Sequence, residues 1–168
     1  VPRMRKLRGS HIILPLEKRV STQYAVHLMH PKDYRTMFAF PWEGAFMVGT
    51  TDLDHPKEIE EEQPEPCASP EEIDYIIEAL QFTFPRAGIR REDILSTFAG
   101  LRPVINTGKA RPSDESRAHV VWEENGLITI AGGKYTIFRV MAADVLNRAA
   151  ARLPGNPVFP ARKPLFTP

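Results

Sequence analysis

The pair Asn125-Gly126 constrains the fold of this chain more than any other two residues. It stands between two short apolar runs, Ala118 to Trp122 and Leu127 to Ala131, and both residues tolerate the positive φ that a two-residue hairpin turn demands. Strands joined by so short a turn must run antiparallel. A second tight turn, Trp42-Glu43-Gly44, precedes the strand-like Ala45-Phe46-Met47-Val48-Gly49. Ahead of it lie three more runs of the same character, Ser10 to Leu16, Tyr24 to His30 and Thr36 to Pro41. An antiparallel meander is expected to open the fold.

Two helices interrupt the strands. Ser69-Pro70-Glu71-Glu72 combines an N-cap serine, a proline at the first helical position and two acids against the helix dipole. Ile73, Ile76, Ile77 and Leu80 then recur on one stripe until Pro85-Arg86-Ala87-Gly88 ends the helix. From Glu92 to Leu101 the chain leads into Arg102-Pro103, a further candidate strand with a site at its end. A last helix, Thr136 to Arg152, is marked by Ile137, Val140, Met141, Val145 and Leu146. Strands, helix, strands, helix make an α+β class, with helices flanking a mostly antiparallel sheet.

With 168 residues and 42% hydrophobic content, one core is expected, in a domain over 6–153 followed by a Pro-rich tail or linker over 154–168. The stretch Glu58 to Pro70 is acidic and Pro-rich and reads as a solvated loop; the lone Cys67 in it cannot form an internal disulfide and is expected to be an inert loop residue, with a reactive thiol the less common alternative. A formal charge of +1 excludes a broad field for nucleic acid or an anionic membrane, so any anion binding must be local. No secretory leader is recognisable, because the apolar run Ile12-Ile13-Leu14 stops at Pro15. The chain starts at Val1 and closes in proline-rich sequence, both expected of a piece of a longer protein.

Candidate chemistry is confined to a few places. Gly132-Gly133-Lys134, between a strand and a helix start, could seat an anion or cofactor on free amides, or could simply be a turn. Arg102, held between Gly100-Leu101 and Pro103, could clamp a carboxylate or phosphate, or could serve a structural ion pair. Arg117 offers a weaker version of the same choice. His11 lies inside an apolar strand, where a satisfied core histidine is the commoner outcome. Thr50-Thr51-Asp52 forms a polar cluster at a strand end, where sites are often built. The histidines at 27, 30, 55 and 119 have no metal-ligand spacing, and no metal is expected. Gly-x-Ser-x-Gly and Gly-x-Gly-x-x-Gly are both absent from this sequence, so neither a hydrolase elbow nor a dinucleotide fingerprint is present in it.

Taken in order, Arg8-Gly9-Ser10-His11, Phe40-Pro41-Trp42, Val48-Gly49-Thr50-Thr51-Asp52, Ala99-Gly100-Leu101-Arg102-Pro103, Ser116-Arg117 and Gly132-Gly133-Lys134-Tyr135-Thr136-Ile137-Phe138-Arg139 resemble the FAD-dependent, aerobic-type glycerol-3-phosphate dehydrogenases over about Lys6 to Leu153. The resemblance implies the substrate domain of a D-amino-acid-oxidase-like flavoenzyme, without the segment that binds the nucleotide half of FAD. It implies oxidation of sn-glycerol 3-phosphate to dihydroxyacetone phosphate, with hydride passing to FAD and electrons to a quinone. By position, His11 and Arg102 would be catalytic, Arg102, Arg117 and Lys134 would bind substrate, and Gly132, Gly133, Lys134, Tyr135 and Thr136 would meet the flavin. Tyr135, Ile137 and Phe138 replace the Leu, Thr and Tyr of the family's Gly-Gly-Lys-Leu-Thr-Thr-Tyr-Arg, so backbone contacts transfer and those side-chain contacts do not. The resemblance further implies a cytoplasmic protein and leaves open its peripheral attachment to the inner face of the membrane and its assembly into a homo-oligomer. Alone, the chain is expected to be inactive and to lose FAD. Two other readings stand beside this one: another FAD-dependent amine or hydroxy-acid oxidase of the same class, and a non-catalytic binding domain.

Overall fold

Alternating side chains along the first strand, β1 (Met4–Pro15), separate the two faces on which the sheet is organised. The computed structural model describes residues 2–16, 20, 22–55 and 65–160. They form two compact units, one of Lys6–Arg102 and one of Val1–Arg5 with Pro103–Pro168.

In the unit Lys6–Arg102 the meander continues through β2 (Val26–Met29), β3 (Thr36–Trp42), β4 (Ala45–Gly49) and β5 (Leu53–Asp54), in the spatial order β2-β3-β4-β1-β5, with β6 (Ser96–Ile105) also paired to β1. The Trp42-Glu43-Gly44 turn closes β3 onto β4, which pair antiparallel from Trp42↔Ala45 onward. One face is apolar and registered across the strands: Ile12 opposes Val48, Val48 opposes Ala39, Leu14 opposes Phe46, and Leu28 opposes Met37. All of these are buried.

Helix α1 (Pro70–Thr83) covers that face with Ile76, Ile77, Ala79 and Leu80. It starts where the sequence places it: the Ser69 hydroxyl accepts from the Glu72 amide, and the Glu72 carboxylate accepts from the Ser69 amide, a reciprocal capping box. It ends where Phe84 donates its amide to the Leu80 carbonyl at 2.7 Å, just before Pro85. Full burial of Ile76 and Leu80 stabilises this packing by roughly 2–3 kcal/mol each. The opposite face carries His27, Phe38, Gly49 and His11 in one register row, and Phe38 and Trp42 are 53% and 57% exposed.

The unit containing Pro103–Pro168 is built on the hairpin β7 (His119–Glu124) and β8 (Leu127–Gly132). Its turn residues Asn125 and Gly126 have φ of 50° and 83°, as the Asn-Gly pair requires. A 3-10 turn at Tyr135–Ile137 opens the last helical stretch, α2 (Phe138–Ala149) carries it, and a second 3-10 turn at Ala150–Arg152 closes it. Only part of the expected apolar stripe is covered, since Val140 and Leu146 are more than a third exposed. A two-stranded hairpin is too narrow to screen the full arc of a helix. Of the expected tail, Phe159 is tied to α2 through both its amide and its carbonyl by the Asn147 side chain. Cys67 is exposed, whereas residues 58–64 of the acidic loop and 161–168 of the tail lie outside the described residues.

Replacing Ile76 by Ala should lower the unfolding free energy by roughly 3 kcal/mol, because it empties a fully covered site. Phe82→Ala, at a 58% exposed position of the same helix, should cost less than about 1 kcal/mol. Urea titrations of the two variants side by side check the difference, and equal losses would contradict this packing.

Candidate functional site

Strand β1 brings the first group of candidates together. Gly9 and His11 project from the same face, opposite the core residues Ile12 and Leu14, and on that face the Arg102 guanidinium lies over Gly9. Arg102 is not at the end of its strand as the sequence suggested: β6 runs on through Pro103 to Ile105. Proline is accommodated because, among the described residues, β6 pairs with β1 alone and leaves one backbone edge without a ladder to complete.

The loop after β4 fixes the guanidinium. Nη1 donates to the Thr51 carbonyl at 3.2 Å and to Asp52 Oδ1 at 3.1 Å, and Nη2 donates to Thr50 Oγ1 at 2.7 Å. Asp52 is itself buried and also faces Arg35 Nη2 at 3.6 Å, so two guanidinium groups share one carboxylate. The bland and the functional readings of Arg102 are thus both partly right. It makes an ion pair, and that pair orients a cation whose side chain is still 30% exposed.

His11 stacks on Phe98 with ring centroids 4.6 Å apart and an interplanar angle of 4°. Its Nδ1 is buried and accepts or donates no hydrogen bond. Burial, and after it the positive charge of Arg102, holds the imidazole below its ordinary value of 6.5, which leaves His11 neutral and able to accept a proton at neutral pH. A core histidine with both nitrogens satisfied would look different.

Behind this face stands a group that sequence reasoning missed. Glu72 is 1% exposed and takes the Thr51 hydroxyl at 2.6 Å and Arg8 Nη2 at 2.9 Å in addition to its capping bond. Burial alone would raise its carboxyl, but the Ser69 amide, the Thr51 and Ser10 hydroxyls and Arg8 outweigh it and hold the group below its usual range. The Ser-x-x-Glu spacing was the available signal, and it announces a capping box but not the buried contacts.

The remaining candidates belong to the second unit. The β7 to β8 register sets His119 against Gly132, so Arg117, two residues before His119, lies at the same open end of the hairpin as the glycine turn. Gly132 and Gly133 have φ of 76° and 83°. A side chain on Gly132 would strike the Ala118 carbonyl at 2.8 Å, and one on Gly133 would meet Met141 Cε at 2.9 Å, so close packing of the turn is itself a reason for both glycines. Beyond them, no side chain caps the 3-10 turn or α2, Lys134 and Thr136 are exposed, and Tyr135 is 91% exposed. The Ile137 and Phe138 amides are taken up by the Lys134 and Tyr135 carbonyls within this turn.

The loop carrying Arg117 has its own anchor, also unforeseen. The buried Glu115 carboxylate accepts from Thr107 Oγ1 at 2.6 Å, the Thr107 amide at 3.0 Å, the Lys109 amide at 3.3 Å and Arg5 Nη1 at 3.0 Å. The Thr107 hydroxyl leads these partners in pulling Glu115 down to about 2.

Comparison with known proteins gives a consistent picture. The family model for FAD dependent oxidoreductases (DAO) matches residues 1–139. An aerobic glycerol-3-phosphate dehydrogenase of Staphylococcus epidermidis is 41% identical over 151 residues, 89% of this chain and 26% of that protein. Its counterpart in Staphylococcus aureus is 39% identical over 152 residues, again 26% of its length. The solved structure of a Bacillus halodurans glycerol-3-phosphate dehydrogenase complexed with FAD superposes with a TM-score of 0.71 at 31% identity, over 89% of this chain and 27% of that one. The chain therefore spans about a quarter of the length of the relatives it matches.

Because the Glu115 value is depressed, its stabilisation is complete above the usual value of 4.5 and is lost as pH falls towards about 2. Glu115→Gln should flatten the acid limb of the melting-temperature profile in that window while leaving the profile above pH 6 parallel to the parent. Thermal melts across pH check this, and an unchanged acid limb would contradict it.

Proposed function

The chain belongs to the FAD-dependent oxidoreductase family, and we propose that it is the substrate-facing segment of a flavin-dependent glycerol-3-phosphate dehydrogenase. The observation that carries this reading is a fixed guanidinium beside a neutral imidazole on one open face of a sheet.

When bound, FAD supplies the acceptor for the hydride that leaves C2 of sn-glycerol 3-phosphate, a chemistry no side chain of this chain offers. Gly132, Gly133, Lys134, Tyr135 and Thr136 would hold its flavin end, with backbone amides favouring negative charge there. His11 accepts the proton of the C2 hydroxyl as the C2–H bond breaks, and the product is dihydroxyacetone phosphate. Arg102 and Lys134 favour the anionic oxygens of the bound substrate and the alkoxide character that develops on the C2 oxygen. Arg117 adds to the clamp on the phosphate, which carries nearly two charges. An arginine is too basic to take the proton itself, which supports His11 over Arg102 as the base.

Electron delivery to a quinone and peripheral attachment of the parent to the membrane are carried by the family resemblance alone. No described helix is long and apolar enough to cross a membrane. A rival substrate class, the hydroxy or amino acids, would use the same arginine for a carboxylate, and the 41% identity to a glycerol-3-phosphate dehydrogenase favours glycerol phosphate over it. The sequence contains no Gly-x-Gly-x-x-Gly, so this chain alone is proposed to hold neither FAD nor activity.

In the full-length flavoprotein that carries this segment, Arg102→Ala should raise the KM for glycerol 3-phosphate by about 30- to 100-fold, the value of about 2–3 kcal/mol for a charge-assisted contact, with flavin content unchanged. Steady-state kinetics with a dye acceptor, alongside the flavin absorbance, measure both. An unchanged KM would remove Arg102 from the substrate site. The chain purified by itself should be colourless and should not reduce the dye.

A further inference from the structure

Glycine inside a strand is normally a weakness, since it adds backbone entropy to be lost and offers no side chain to pack. Three described strand positions are glycine although none has the positive φ that would demand it, Gly9 in β1, Gly49 at the end of β4 and Gly100 in β6. What distinguishes Gly9 and Gly49 is crowding. A Cβ on Gly49 would stand 2.7 Å from His11 Cγ and 2.9 Å from Nε2, and its three nearest atoms all belong to that imidazole. A Cβ on Gly9 would stand 2.6 Å from Thr50 Oγ1 and 2.7 Å from Arg102 Cζ, in the middle of the hydrogen bond joining those two side chains. Gly44, Gly100, Gly108, Gly126 and Gly155, by contrast, have open space where a side chain would go.

We propose that Gly49 and Gly9 are positioning residues, bare strand positions against which His11 and Arg102 lie flat. The inference rests on the roles given above to those two side chains. Gly49 is the register partner of both His11 and Phe38, so the row across the sheet runs ring, gap, ring, and the His11 imidazole extends into the gap. Phe98 stacks on the imidazole, while the bare Gly49 leaves room for its edge. Alanine at 49 fits the backbone but not the ring, which must turn away from Phe98 and into water. Alanine at 9 crowds both the Thr50 hydroxyl and the far end of the Arg102 side chain, and so alters where the guanidinium points.

The test uses the labelled chain and the full-length holoenzyme. In the chain, the His11 imidazole resonance is identified by its loss in His11→Ala, and its titration is followed by NMR. In G49A the midpoint should rise towards the ordinary 6.5, because burial is the leading cause of its depression. G49A should also lower the melting temperature, and this loss should disappear in G49A/H11A, where no ring occupies the gap. In the holoenzyme, G49A should reduce kcat by about 10-fold or more, the order expected for misplacing a reacting group, and should shift the alkaline-rising limb of the pH profile. G9A should raise KM for glycerol 3-phosphate and add nothing to R102A. An unmoved His11 titration in G49A, or an equal thermal loss in the H11A background, overturns the role of Gly49. A KM effect of G9A that persists in R102A overturns that of Gly9. If the His11 titration moves while the holoenzyme keeps its pH profile, the positioning role of Gly49 stands and the assignment of His11 as proton acceptor falls.

Discussion

A single buried carboxylate ties the helix, the first strand and the loop after β4 of the Lys6–Arg102 unit together. Glu72 begins helix α1 by bonding the Ser69 amide, reaches β1 through Arg8, and holds the loop after β4 through the Thr51 hydroxyl. That hydroxyl in turn accepts the Ser10 amide at 2.8 Å, which fastens the loop to β1. An ionised carboxylate out of water is strongly unfavourable unless it is paired and hydrogen-bonded, and here each of these partners belongs to an element whose position matters. Move Glu72 and the helix start, the loop and the acceptors of Arg102 all shift together.

The loop is the link between stability and chemistry. Thr50, Thr51 and Asp52 each supply one acceptor to Arg102, from a hydroxyl, a carbonyl and a carboxylate respectively. Glu72 anchors the loop through the Thr51 hydroxyl, together with the Ser10 backbone and the Arg35 guanidinium. The sheet thus transmits order across its own thickness: packing on α1 fixes the backbone, and the backbone presents His11 and Arg102 on the other face. Arg117 and the Gly132–Gly133 turn depend on a separate device, the Glu115 carboxylate and the Asn-Gly hairpin, which explains how two compact units can each carry a prepared set of polar groups.

Local chemistry was legible in the sequence wherever neighbours in the chain are also neighbours in space. Asn125-Gly126 made its hairpin, Trp42-Glu43-Gly44 its turn and Ser69-Pro70 its helix start, because each signal acts within four residues. Arg102 and His11 were recognised as candidates, but the choice between a structural and a reactive role needed partners 50 or more residues away, such as Asp52 for Arg102. Arg8 and Glu72 illustrate the same limit: the sequence placed Glu72 at a helix start and Arg8 in a motif, but not their buried ion pair, which joins positions far apart in the chain. The run of β6 beyond Pro103 was missed for a different reason. Proline argues against a strand unless the strand lies at an edge, and edge position is a property of the sheet, not of the segment.

The strict alternation of β1 has a consequence for how this segment can change over time. Arg8, Ser10, Ile12 and Leu14 serve the helix side while Gly9 and His11 serve the open side, so neither set tolerates a change of phase. Insertion or deletion of one residue between Leu7 and Leu14 would exchange the sets, turning an imidazole into the core and an isoleucine into the open face. Substitutions in this strand can be weighed one position at a time, but length changes cannot, and variation in length has to be confined to the connections that lie outside it.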